Sequence, residues 1–212
     1  VADLKGSIER GNEAIVYDGT KQIEWNEESL EKLADLVTLH PIFMTNTTKN
    51  DQLLKVFNLI AEEDRRKVRG AVSITGWRVP EGYTNVRTIG ADERGAHLSG
   101  ADAVTELALA ISEGAEKATT YKSFQEFSDK FFVRFAIDTH FFMEIAKIRA
   151  FRILWNALGK SFGETTVAHI PILTETSLRT YSKLDPYVNL LRAGNEAFSA
   201  VLGGADVVTV HP

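Results

Sequence analysis

The run Phe132-Val133-Arg134-Phe135-Ala136-Ile137 passes through Asp138-Thr139-His140 into a long stretch from Phe141 to Trp155. The first six residues are mostly apolar, which suits a strand covered on both faces. From Phe141 onward, Phe141, Ile145, Ile148 and Trp155 recur at helical spacing. A strand, a short turn and a long helix make the repeating half of a parallel crossover, and this unit decides the fold class.

The same alternation extends in both directions. Further strands are expected at Ala14–Tyr17, Pro41–Thr45, Ala71–Ile74, Val86–Ile89, Val167–Leu173 and Val207–Val210, seven in all. Between them lie helical stripes. Leu30, Leu33, Ala34 and Val37 follow Asn26 as N-cap, and Leu53, Val56, Phe57 and Ile60 form a second stripe. Val104, Leu107, Ala108 and Ile111 form a third, opened by Ser99 with Asp102 three residues on. Ser123 to Glu126 is a capping box. Asp185-Pro186 opens the last helix and Gly203-Gly204 closes it.

Repeated strand and helix with right-handed crossovers give an open doubly wound sheet or a barrel. The sequence has no G-x-G-x-x-G after the first strand and no Walker A pattern, which weighs against the open nucleotide-binding sheet. Asp18, Thr45, Asn46, Thr75, Asp92, Asp138, Thr174, Glu175 and His211 fall at expected strand carboxyl ends, where a (β/α) barrel builds its site. The expectation is an α/β fold, a TIM-type (β/α)8 barrel with about seven strands, spanning residues 1–212 as one domain. One crossover is short, since only Gly76–Asn85 link the third and fourth strands. Val1 stands inside an expected helix and Val207–Pro212 reads as a strand with its exit turn, so a piece of a longer chain is expected.

The 212 residues carry 24 Lys+Arg, 29 Asp+Glu and no Cys, for a net charge of −5. A basic stripe is missing, and nucleic acid is not an expected partner. No apolar run reaches the roughly 18 residues of a membrane span. The lack of cysteine removes thiolate metal sites and thiol nucleophiles and fits a reducing, cytoplasmic compartment.

Candidate chemistry is sparse. Asp92-Glu93-Arg94 with His97 offers a metal or acid–base set in a loop after a strand, against the plainer reading of a charged loop. Asp138-Thr139-His140 offers an Asp-oriented histidine, against a helix start with Asp at the positive dipole end. His169 reads as a satisfied core histidine. Glu144 and Lys147, spaced i,i+3, read as surface support. Glu196 is a carboxylate in an otherwise apolar helix. No Ser/His/Asp set follows from spacing.

The long helix, Phe142-Met143-Glu144-Ile145-Ala146-Lys147-Ile148-Arg149-Ala150-Phe151-Arg152-Ile153-Leu154-Trp155, resembles the F-x-E-I-A-K-x-R-A-x-R-x-L-W signature of the methylmalonyl-CoA mutase family. Gly100-Ala101-Asp102-Ala103 with Glu106-Leu107-Ala108 resembles the family's G-A-D-A-x-x-E-L-A. Thr176-Ser177, Asp185-Pro186-Tyr187, Glu196-Ala197 and Gly203-Gly204 agree in order with a third segment.

The resemblance implies a barrel that holds an acyl-CoA and a separate C-terminal domain, absent from this chain, that holds adenosylcobalamin. It also implies departures. Catalytic members have a Tyr-His pair where Arg94 and Gly95 stand, and R-x-H-x-Q where Pro171, Leu173 and Glu175 stand. The shortened Gly76–Asn85 link matches a segment that carries a further substrate arginine. The expected role is the non-catalytic small (beta) subunit of this isomerase, partnered by a catalytic large subunit. Acyl-CoA is then met only through the complex, and adenosylcobalamin is not expected to bind this chain alone. Glu196 and Ala197 match positions near cobalamin. Self-association through exposed strand edges is the other partnership considered. The rival readings are a divergent catalytic acyl-CoA mutase barrel and an unrelated metal-dependent barrel using Asp92, Glu93 and His97.

Overall fold

The computed structural model describes residues 2–21 and 23–211. Val1 and Pro212, which the sequence assigns to a first helix and a last turn, lie outside them. The chain divides into two compact units, Val1–Ile89 and Gly90–Pro212.

The first unit contains α1 (Ala2–Glu9), β1 (Ile15–Asp18), α2 (Glu27–Leu39), β2 (Ile42–Thr45), α3 (Val56–Leu59), β3 (Gly70–Ala71) and β4 (Val86–Arg87). Its sheet has the order β1-β2-β3-β4, with every neighbour parallel. α2 forms as its sequence dictates. Asn26 accepts from the Ser29 amide at 2.8 Å while the Asn26 amide donates to the Ser29 hydroxyl, closing a capping box. Leu30, Leu33, Ala34 and Val37 are buried in one core with Ile15, Tyr17, Ile42 and Met44. The second stripe is buried too, but the helix is shorter than expected. A 3-10 turn, Gln52–Lys55, runs into α3, and Ile60 is already extended.

Residues 72–85 carry the chain from β3 to β4 without a helix. An aromatic wedge stands in for it. The Trp77 and Tyr83 rings lie 5.5 and 5.3 Å from that of Phe57, and the Tyr83 hydroxyl donates to the Phe57 carbonyl at 2.6 Å. β3 is pinned by Gly70, whose φ is +148° and whose missing Cβ would fall 1.8 Å from the Ile42 carbonyl oxygen.

The second unit holds β5 (Ile89–Asp92), α4 (Arg94–Leu98), α5 (Ala103–Ala118), α6 (Phe124–Ser128), β6 (Phe131–Ile137), α7 (Phe141–Ser161), β7 (Ile172–Thr176), α8 (Pro186–Gly203) and β8 (Val207–Thr209). Its sheet has the order β5-β6-β7-β8, and β6, β7 and β8 run parallel in the registers Val133 to Ile172 and Leu173 to Val207. Trp155 anchors the core, stacked on Phe131 at 5.2 Å and set 5.0 Å from Phe124. At the ends of α8, Asp185 accepts from the Tyr187 and Val188 amides, and Gly204 adopts φ +91°.

Four expectations are corrected. The run Val86–Ile89 is two strands, not one: it breaks at Thr88, with β4 in the first sheet and β5 in the second. Eight strands therefore stand among the described residues, where seven were expected. Its β-branched residues signal extension but not which neighbour each residue pairs with. The expected Val167–Leu173 strand begins only at Ile172. Side chains take the earlier carbonyls, Trp155 that of Ala168 and Arg152 that of Ile170. Ser99 ends α4 instead of opening α5, whose cap is Asp102, accepting from the Thr105 amide at 2.8 Å. The buried face of α5 is accordingly Glu106, Leu107, Ala110, Gly114 and Ala118, with Val104 exposed.

Candidate functional site

Charged and polar side chains of the second unit gather where β5, β6 and β7 end. In an outer group Arg94 donates to both Asp92 oxygens, at 2.7 and 2.6 Å, and to Glu175 at 2.9 Å. Arg134 Nη1 lies 3.7 Å from Asp92, and His211 Nε2 lies 3.8 Å from Glu175. Burial pushes both carboxyls up, but Arg94 outweighs it at Asp92, and His211 with Arg94 outweighs it at Glu175. Both stay below the usual carboxylate range. Desolvation and the neighbouring Arg94 lower the buried Arg134.

The inner group is sealed. His97 is 1 % exposed, and its two ring nitrogens lie 2.8 Å from Glu106 Oε1 and 2.8 Å from the Ser177 hydroxyl. A carboxylate only accepts, so Nδ1 carries the proton toward Glu106 and Nε2 faces the serine. Lys147, 1 % exposed, donates to Glu106 Oε2 at 2.9 Å and to the Ala136 carbonyl at 2.8 Å. Glu144 Oε2 lies 2.7 Å from the same ammonium as an ion partner, though without hydrogen-bond geometry. Burial raises Glu144 despite Lys147. Asp138 accepts from the Thr139 amide and hydroxyl and pairs with Arg179. Burial raises the Asp138 carboxyl, but these donors bring it below its ordinary range.

Ser177, His97 and Glu106 thus stand in the order of a hydrolytic triad. They are 80 and 9 positions apart in sequence, so spacing gave no sign of them. The arrangement is closed, however. Ser177 is 2 % exposed and accepts from the Arg179 amide at 3.2 Å, and Glu106 is shared with Lys147. What it can do chemically is hold β7, α4, α5 and α7 together.

The residues of the metal reading separate. Asp92 faces Arg94, His97 faces Glu106 and Ser177, and Glu93 is buried beside the charges of Glu113, Asp92 and Glu106, where desolvation first and then those charges push it up to about 7. Among the described residues no three His, Cys, Asp or Glu gather to hold a metal ion. His140 is exposed, 3.7 Å from Asp138. Two readings are overturned. Glu144 and Lys147 are interior, because α7 turns its 144, 147, 148, 151 and 155 positions inward. His169 is exposed and bonded to Asp206 at 2.8 Å, because it precedes the strand proper.

Glu196 has no exposed surface, and neither carboxylate oxygen has a hydrogen-bond partner. Desolvation, and beyond it the charges of Asp138 and Glu144, push it up to about 8; the nearby Ser177 amide, which donates to the Ile137 carbonyl, and the Thr180 hydroxyl lower it only in part and neither bonds it. Ala197 beside it is half-buried. A carboxylate shut off from solvent does not fit contact with a group as large as a corrin.

The family model described as methylmalonyl-CoA mutase matches residues 44–212. A probable methylmalonyl-CoA mutase small subunit of Mycobacterium bovis is 37% identical over 135 residues, 62% of this chain and 22% of that protein. The methylmalonyl-CoA mutase small subunit of Porphyromonas gingivalis is 35% identical over 136 residues, 60% of this chain and 21% of that protein. A methylmalonyl-CoA mutase of Rhizobium meliloti is 37% identical over 118 residues, 52% of this chain and 17% of that protein. The chain spans about a fifth of the length of these relatives. Since the family model covers the greater part of the sequence, including the whole buried network, the chain belongs to the methylmalonyl-CoA mutase family.

Proposed function

We propose that this chain belongs to the small subunit of a methylmalonyl-CoA mutase and is a scaffold without chemistry of its own. One observation carries the reading. Arg94 and Glu175 occupy the positions of the family's Tyr and Gln, and they neutralise each other across 2.9 Å. A guanidinium bonded to two carboxylates has its charge already neutralised, which leaves little attraction for an anionic acyl group. Gly95 supplies no imidazole, and His97 has both nitrogens engaged inside the fold. The divergent-catalyst reading needs His97 or His169 to reach substrate; His97 is 1 % exposed, and His169, though exposed, stands ahead of β7, away from the strand carboxyl ends, and is bonded to Asp206.

With this reading goes the architecture expected from the sequence, a TIM-type (β/α) barrel domain over residues 1–212, supported by the alternation of strands and helices. The catalytic large subunit is the partner. The complex, an isomerase, carries the adenosylcobalamin and acyl-CoA, and its compartment is the cytoplasm. Among the described residues no helix is long and apolar enough to cross a membrane.

Calorimetric titration tests the proposal. The chain binds a methylmalonyl-CoA mutase large subunit, gives no heat with adenosylcobalamin or methylmalonyl-CoA alone, and forms no succinyl-CoA by itself. Succinyl-CoA from the chain with adenosylcobalamin, or binding of the acyl-CoA without a partner, overturns it.

A further inference from the structure

The inner face of α8 is made of small residues, Ala193, Ser199, Ala200 and Gly203, around the one carboxylate of Glu196. Such a face buries little apolar area, so it offsets little of the cost of a buried charge. The cations of the neighbouring elements are engaged with other groups. Lys147 of α7 holds Glu106 of α5 and Glu144 of its own helix, and Arg179, after β7, holds Asp138 at the end of β6. His97 of α4 lies between Glu106 and Ser177, and Arg192 of α8 donates to the Thr180 carbonyl at 2.6 Å. Glu106 and Glu144 thus share Lys147, Asp138 takes Arg179, and Glu196 has no donor. The Thr180 hydroxyl is also unpaired. A neutral carboxylic acid resolves both vacancies, because it supplies a donor and keeps an acceptor.

We propose that Glu196 is a proton latch, which seats α8 on the second unit while it carries its proton and releases the helix when it ionises. The sign follows from linkage. An acid raised to about 8 in the seated helix, and ordinary in the released one, keeps its proton only when seated. Opening therefore grows as pH rises, about tenfold per unit through the neutral range, and levels off above the raised value. Arg149 and Arg152 of α7, which donate to the Leu202 and Gly204 carbonyls, tether the far end, so release starts from the Pro186 side.

Native-state hydrogen exchange on the chain from about pH 6 to 9 reads the latch. Protection of α8 amides, corrected for intrinsic exchange, falls about tenfold per unit up to about pH 8 in the parent chain. It is flat in Glu196→Gln and in Glu196→Met, either of which suffices. An equal fall in parent and variants overturns the proposal. So does an equal fall over α4, which Glu93 precedes, and α7, which carries Glu144. The parent alone gives a second reading: with no carboxylic-acid C=O stretch in its infrared spectrum at pH 6, the latch does not exist.

Discussion

Lys147 of α7 meets Glu106 of α5 at 2.9 Å, and both side chains are cut off from water. Glu106 passes the contact to His97, and His97 passes it to Ser177. A single chain of hydrogen bonds thereby ties two long helices to the end of β7. Inside the fold such bonds are strong when complete and costly when broken.

Lys147→Met leaves Glu106 and Glu144 buried without their cation. The expected loss is about 3–5 kcal/mol, read as a lower urea midpoint. Adding Glu106→Gln and Glu144→Gln to the same chain recovers part of it, because the orphaned charges are gone.

Arg94→Ala frees two carboxylates whose pKa values are lowered in the fold. Lowered acids contribute stability above their ordinary range and lose it as pH falls through the lowered values. The variant loses about 1–2 kcal/mol at neutral pH, discounted for the partial exposure of Asp92. Its stability also falls less steeply than the parent's on acidification, which urea titrations across the acid range measure.

Ser177 does not act as a nucleophile. A fluorophosphonate probe is expected to leave the native chain unlabelled, judged by intact mass. Stoichiometric labelling at Ser177, abolished by His97→Ala, would show that the trio opens to solvent.

Gly70→Ala places a Cβ 1.8 Å from the Ile42 carbonyl. The β2–β3 ladder cannot absorb that contact. The variant is expected to lose more than about 3 kcal/mol in chemical denaturation, beyond ordinary overpacking.

Much of this was legible in the sequence. Asn26, Asp185 and Gly204 sit at the helix ends they announce, because a cap is a local agreement between one side chain and a few amides. The stripe of α2 is buried as its spacing requires. What escaped was non-local. Nothing in Val86–Ile89 says that the ladder changes partner at Thr88. The pair Glu144 and Lys147 has the spacing of a surface bridge, and only the neighbouring Ile148, Phe151 and Trp155 on the same stripe mark it as interior. Ser177 and His97 meet across 80 positions, which no window of sequence contains.

The contact between Arg94 and Glu175 also constrains how this sequence can change. Replacing Arg94 alone takes from Asp92 and Glu175 the cation they share, and replacing Glu175 alone removes the carboxylate that Arg94 and His211 share. Each substitution is penalised while the other residue stays. A lineage that acquired the pair can exchange both at once or neither, so the paired charges at the strand ends act as an evolutionary ratchet.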